Sequence, residues 1–217
     1  MSAEKPLEFC VRSISCPGLS LIMVKKIKPK LIIKYSRIYD GVLHQFRGLD
    51  FKDERTKYQT YCNGLQKMWE RRDLFSIISR ISGLPWKEKE IPCYIVKSGA
   101  CLSDPLTVVT DSIQVESTVK RKGIQVRIII HELIHRLLDQ NADRVKYPKR
   151  YNKLSETVRE HVLVHAIQKE VLATFYLPEK RKYIGHNVPS SDPKYAEAWD
   201  IVNKEGAKKI IKECIKK

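Results

Sequence analysis

Apolar positions recur along this chain in two rhythms, and the change between them divides it. In the first fifty positions they form short β-prone runs, Leu19–Val24 and Leu31–Tyr35, parted by the basic turn Lys25–Lys30. From Lys57 to Leu84 they return at three and four, at Tyr61, Leu65, Met68, Trp69, Leu74, Ile77, Ile78 and Ile81. That spacing predicts a helix, which Gly83-Leu84-Pro85 stops. Two strands are expected next, Ile91–Lys97 and Leu106–Thr110, divided by Ser98-Gly99-Ala100 and a Ser103-Asp104-Pro105 turn. The second half is helical in pattern. Gly123 precedes one run from Ile124 to about Leu138, and Ser155 opens another that Leu177-Pro178 closes. A third begins at Asp192-Pro193, with Asp as N-cap and Pro in the first turn. It carries Tyr195, Trp199, Val202, Ile210, Ile211 and Cys214 and is interrupted by Gly206. Strands followed by helices predict an α+β fold. We read one domain over 1–217, strand-containing over 1–115 and helical over 116–217.

Composition narrows the class. The 217 residues are 42% apolar and 30% charged, enough to build a core and too apolar for wholesale disorder. The longest apolar stretches, such as Ile128-Ile129-Ile130, fall far below the roughly 18–20 residues that span a bilayer. The start, MSAEKPLEF, lacks a charged-then-apolar signal pattern, so a cytoplasmic protein without membrane partners is expected. Cys10, Cys16, Cys62, Cys93, Cys101 and Cys214 form no CxxC pair and are expected as reduced, mostly buried thiols. The net charge of +16 makes nucleic acid a candidate partner without requiring one.

One motif carries chemistry. His131-Glu132-Leu133-Ile134-His135 is an H-E-x-x-H sequence. Helical residues four apart share a face, so both imidazoles can reach one ion. Glu132 lies about 100° round, beside such an ion rather than on it, where a base acting on water belongs. With six histidines in the chain, an accidental match is expected about once in a hundred such sequences. Ile128, Ile129, Ile130, Leu133, Ile134, Leu137 and Leu138 flank the pair, so the helix should be buried and its polar groups need partners.

A catalytic zinc has three protein ligands and one open position. The richest donor stretch lies downstream, where Glu156/Glu160 and His161/His165 form competing i,i+4 pairs. On a helical wheel Leu154, Val158, Val162 and Leu172 cluster on the side of His161 and His165. Glu156, Arg159, Glu160 and Glu170 collect opposite, facing water. The third ligand is therefore expected from histidine, either His161 or His165.

The H-E-x-x-H sequence resembles the zincins, the zinc metallopeptidases built on this motif. The resemblance covers five residues and a helical half. It implies a zincin-like fold, one Zn²⁺ per chain on His131 and His135, and Glu132 as the residue that activates water. By analogy with thermolysin-like members, where the ligand precedes a supporting residue by four positions, His161 would be the third ligand. His165 would then support the site, the reverse assignment staying open. The metzincin extension is absent, since Leu138 and Asn141 stand where Gly and His are needed. The NExxSD and GTxDxxYG patterns of other groups are absent too, which leaves the subfamily unassigned.

Other residues were weighed around this centre. Asp139, four after His135, is a candidate to orient its ring. Arg144–Lys153 joins the two ligand-bearing helices with five cations and two tyrosines, and Tyr147 or Tyr151 is a candidate oxyanion stabiliser. Ile91–Lys97 or Leu106–Thr110 is a candidate to pair with extended substrate. His44 and His186 read as incidental. The function expected is a zinc-dependent peptidase acting on polypeptide, with Glu132 as general base. The alternative is a basic nucleic-acid-associated protein with structural histidines, or an inactive zincin-like domain.

Overall fold

The structure is a computed structural model that describes residues 27–46, 54–97, 99–110, 119–175 (side chains from 125) and 192–216. It is α+β, as the pattern predicts. The strands are β1 (Lys30–Tyr35), β2 (Glu90–Val96), β3 (Leu102–Ser103) and β4 (Leu106–Val109). The helices are α1 (Arg37–Phe46), α2 (Arg55–Glu70), α3 (Leu74–Ser82), α4 (Val119–Gln140), α5 (Glu156–Ala173), α6 (Pro193–Glu205) and α7 (Ala207–Cys214). The expected run Leu19–Val24, the end of the second helical run at Leu177-Pro178, and His186 lie outside the described residues.

The sheet runs in the order β1-β2-β4-β3. The pairs β1/β2 and β2/β4 are parallel, and β3 turns back antiparallel to β4. Alternation sets the inner face, with Leu31 and Ile33 from β1, Ile91, Cys93 and Ile95 from β2, and Leu106 and Val108 from β4 all buried. The free edge of β1 is closed by one side chain. Ile33 N–H donates to Gln66 Oε1 at 2.9 Å, and Gln66 Nε2 donates to the Leu31 carbonyl at 3.1 Å. The α2 amide thus stands where a fifth strand would pair, and an exposed edge is avoided.

Three expectations change. The helix expected over Lys57–Leu84 is two, because Asp73 interrupts it as an N-cap, accepting from Ser76 N–H at 3.3 Å. Both halves pack on one core, so the apolar rhythm runs on across the break. Gly83 at φ 73° ends the second half as expected. Helix α1 was not foreseen, and His44 lies on it rather than among strands and turns. Its usual pattern is inverted, since it buries Asp40 and His44 while Ile38 and Phe46 are 82% and 85% exposed. Finally, α4 starts at Val119, so Gly123 lies inside it rather than before it.

Helix α5 occupies the centre of the helical half, packed by α3, α4, α6 and α7. Ser155 caps it by accepting from Val158 N–H at 3.3 Å. Eight consecutive residues, His161 to Gln168, are buried, so enclosure is complete there rather than one-sided. Its partner α4 buries Ile129, Ile130, Leu133, Ile134 and Leu137 between α5 and the sheet. Among the described residues no helix is long and apolar enough to cross a membrane.

Candidate metal centre

Two helices bring four imidazoles together. His131 and His135 come from one face of α4, one turn apart, and His161 and His165 from the inward face of α5. Ligand atoms of His131, His135 and His161 all lie within 4.8 Å of one another. His135 Nε2 and His161 Nε2 are 3.3 Å apart. Two nitrogens at about 2.0–2.1 Å from one tetrahedral ion are separated by roughly that distance, so this pair has the spacing of two ligands and the three residues could hold a metal ion.

Each ring's other nitrogen decides what it presents. The Nδ1 of His161 is 2.8 Å from the Thr157 carbonyl, which can only accept, so this nitrogen carries the proton and Nε2 is bare. The Nδ1 of His131 is 3.3 Å from Gln168 Oε1, and Gln168 Nε2 donates to the Arg127 carbonyl at 3.1 Å. That second bond orients the amide so that its oxygen faces His131, which therefore donates from Nδ1 and keeps Nε2 free. Asp139, the candidate for orienting His135, is exposed and makes no bond to it. That orienting role falls to Gln168 and a backbone carbonyl, on the two rings of His131 and His161.

Burial sets the protonation. It pushes His131 down to about 4 and His135 to about 3, with neighbouring imidazoles adding to the effect. His161 is lowered by the same burial. At neutral pH the rings are unprotonated, the form in which histidine binds metal. Glu132 is 9% exposed, and burial raises its carboxyl to about 7. It follows His131 on α4 and is outside the ligand group.

The remaining positions divide. His165 is 1% exposed, with its Nδ1 lacking a hydrogen-bond partner, and its ring stacks on Trp199 at 4.3 Å and 12°. It lies 5.5 Å, ring to ring, from both His131 and His161, and outside the ligand group. Glu156 is exposed and Glu160 half-buried, as the wheel predicts for the water side. Neither candidate tyrosine of the linker faces the centre. Tyr151 donates to Glu205 Oε2 at 2.8 Å, and Tyr147 lies under the Arg159 guanidinium. The tyrosine at the histidines is Tyr195, from the first turn of α6, with its ring 4.2 Å from that of His161 and 6.1 Å from that of His131.

Arg136, next to His135, ties the motif helix to the sheet. It holds Glu88 with two bonds of 2.7 Å and donates to the Ser103 carbonyl and to Asp104 Oδ1, both at 2.9 Å. Ser103 belongs to β3, the short outer strand against α4. The strands expected to meet substrate are interior instead. Ile91–Lys97 supplies β2, between β1 and β4, while Leu106–Thr110 supplies β4, between β2 and β3. The expectation overlooked β3 because two residues carry no readable alternation.

Gln168 and Tyr195 were also missed. Gln168 had a signal, as a polar residue seven after His161, on the same helical face within an apolar run. Tyr195 had none, since its position reads as an ordinary apolar one in the first turn of α6. Comparison of the chain with protein-family models, curated proteins and solved structures found no match.

Proposed function

We propose that this chain is a zincin-like, zinc-dependent peptidase, with one zinc held by His131, His135 and His161. The observation that carries the reading is the convergence of these three unprotonated imidazoles from two helices, with the buried Glu132 carboxyl next to His131 in sequence and outside the group. A zinc ion bound there supplies Lewis acidity towards water and towards a peptide carbonyl. The chain's own residues divide the remaining work. Gln168 and the Thr157 carbonyl fix the rings of His131 and His161 in the binding tautomer. Glu132 takes the proton of the attacking water and returns it to the leaving amine; burial brings its affinity for a proton close to neutrality, as that exchange requires. Tyr195 walls the histidine cluster and replaces Tyr147 and Tyr151 as the candidate hydrogen-bond donor to the developing oxyanion. An extended polypeptide is best received along β3, which Arg136 holds against the motif helix.

The test is zinc content and cleavage of an unstructured protein on the same preparation. About one zinc per chain, retained in Glu132→Gln while cleavage is lost, supports the reading. A chain that takes up no zinc sinks it. Salt-sensitive nucleic-acid binding by the metal-free chain supports the basic, nucleic-acid-associated alternative.

A further inference from the structure

We propose that Gln168 is a positioning residue that sets the charge of the centre as well as its geometry. A divalent ion on His131, His135 and His161 then keeps its full double charge and draws a carboxylate to its open position. The inference rests on the metal-centre reading and names the ligand class of that site.

The acceptors behind the ligand rings are the point of departure. His131 donates to an amide oxygen and His161 to a backbone carbonyl, at 3.3 and 2.8 Å. Both acceptors are neutral. A carboxylate is a common alternative in this position, where it pushes negative charge through the ring onto the ion. Among the described residues none of the three rings hydrogen-bonds a carboxylate. Gln168 is 7% exposed, so little water screens what stands there. Its amide is also fixed, because Nε2 is committed to the Arg127 carbonyl at 3.1 Å and only the oxygen is left for His131.

Three neutral rings, two of them on neutral supports, cancel none of the ion's charge. In buried surroundings that charge is weakly screened, and an anion at the open position gains more than a neutral ligand does. Two acids lie nearby. Glu132 is next to His131 in sequence, and Asp192 acts on His161 from the cap of α6, where it accepts from Lys194 N–H at 2.9 Å. Neither changes when Gln168 is replaced, so a comparison at that one position isolates its contribution.

The experiment loads the full-length chain with cobalt(II) and titrates azide, then acetate, following the visible absorption of the metal. The wild type is expected to bind both with a spectral change. Gln168→Glu puts a carboxylate behind His131; it is expected to keep cobalt and to weaken both anions by at least about tenfold. Gln168→Met removes the acceptor without adding charge. It is expected to loosen cobalt by about 10–100-fold while leaving anion affinity of the loaded centre within about twofold. Equal anion affinity in wild type and Gln168→Glu overturns the proposal, as does a wild-type cobalt spectrum that ignores both anions. Should the glutamate variant not fold, unchanged cobalt affinity in Gln168→Met overturns it. A wild type that takes up no cobalt overturns the metal-centre reading beneath it.

Discussion

Among the described residues, histidine is buried in two places, with different surroundings. On α1, His44 is 3% exposed, with Nδ1 2.9 Å from the Asp40 carbonyl and 3.6 Å from the Asp40 carboxylate. Asp40 is itself fully buried and accepts from the Tyr35 hydroxyl at 2.9 Å and from Lys97 N–H at 2.7 Å. Acid, base and donors close on one another there. Between α4 and α5 the rings instead turn nitrogen towards nitrogen, and Glu132 is outside the group that could hold an ion. Buried polar groups are ordinarily satisfied, and here the partner at 3.3 Å is another imidazole in a group of three that could hold one cation. The same residue type is thus structural when its partners surround it and a ligand candidate when its partners are other histidines.

The largest effect expected is on catalysis at the second place. Glu132→Gln should lower peptide cleavage by about 10²–10⁴-fold with zinc retained. Loss of zinc in parallel with activity would make Glu132 a ligand and spoil the separation drawn above.

The two α5 histidines sharpen the contrast within the cluster. His161→Ala should reduce zinc from about one ion per chain to near none, as should His131→Ala or His135→Ala. His165→Ala should keep the zinc and cost about 1–3 kcal/mol of stability, because it removes the ring stacked on Trp199. Glu156→Ala and Glu160→Ala should leave zinc unchanged. Metal analysis and denaturant unfolding on the same variants check all six. A zinc-free His165→Ala would return the fourth ring to the ligand set.

At the first place the expected loss is purely structural. Asp40→Ala removes the acceptor of the Tyr35 hydroxyl and Lys97 N–H and should cost about 2–3 kcal/mol in denaturant unfolding, with full zinc content. Any change in zinc affinity would show that the two histidine sites are coupled.

The smallest effect concerns acid. The Lys97 ammonium, 3.0 Å from Glu54, holds that carboxyl below its usual range. A carboxyl lowered on folding binds fewer protons in the native state. Its stabilisation is present above the unfolded carboxylate value near 4.5 and is lost as pH falls through the lower, native value. The pair is partly exposed, so the contribution is a few tenths of a kcal/mol. Glu54→Gln should remove that step from the pH dependence of unfolding; an unaltered profile would show the ion pair contributes nothing.

Much of the helical half was legible because its signals are local. Ser155 and Asp192 cap helices where the sequence places them, and Gly83 ends one. The inward turn of His161 and His165 follows from the wheel. Helix α1 escaped notice because its buried positions are Asp40 and His44, a pairing that hydrophobic rhythm does not register. The break at Asp73 escaped because α2 and α3 lie on one core, and β3 because it is two residues long.

What the sequence determined by itself is the spacing within each helix. A backbone repeat of 3.6 residues puts His131 above His135 and His161 above His165, with Glu132 turned aside, whatever surrounds them. Which rings meet was decided by tertiary structure. The approach of α5 to α4 depends on apolar contacts among residues distant in the chain, with Ile129, Ile130 and Leu133 on one helix and Val162 and Leu163 on the other. That packing selects His161 over His165, brings Gln168 to His131 across 37 positions of sequence, and closes Tyr195 over the cluster. Spacing is a property of one helix, whereas convergence needs two, and their relative placement is set by the shape of the whole core.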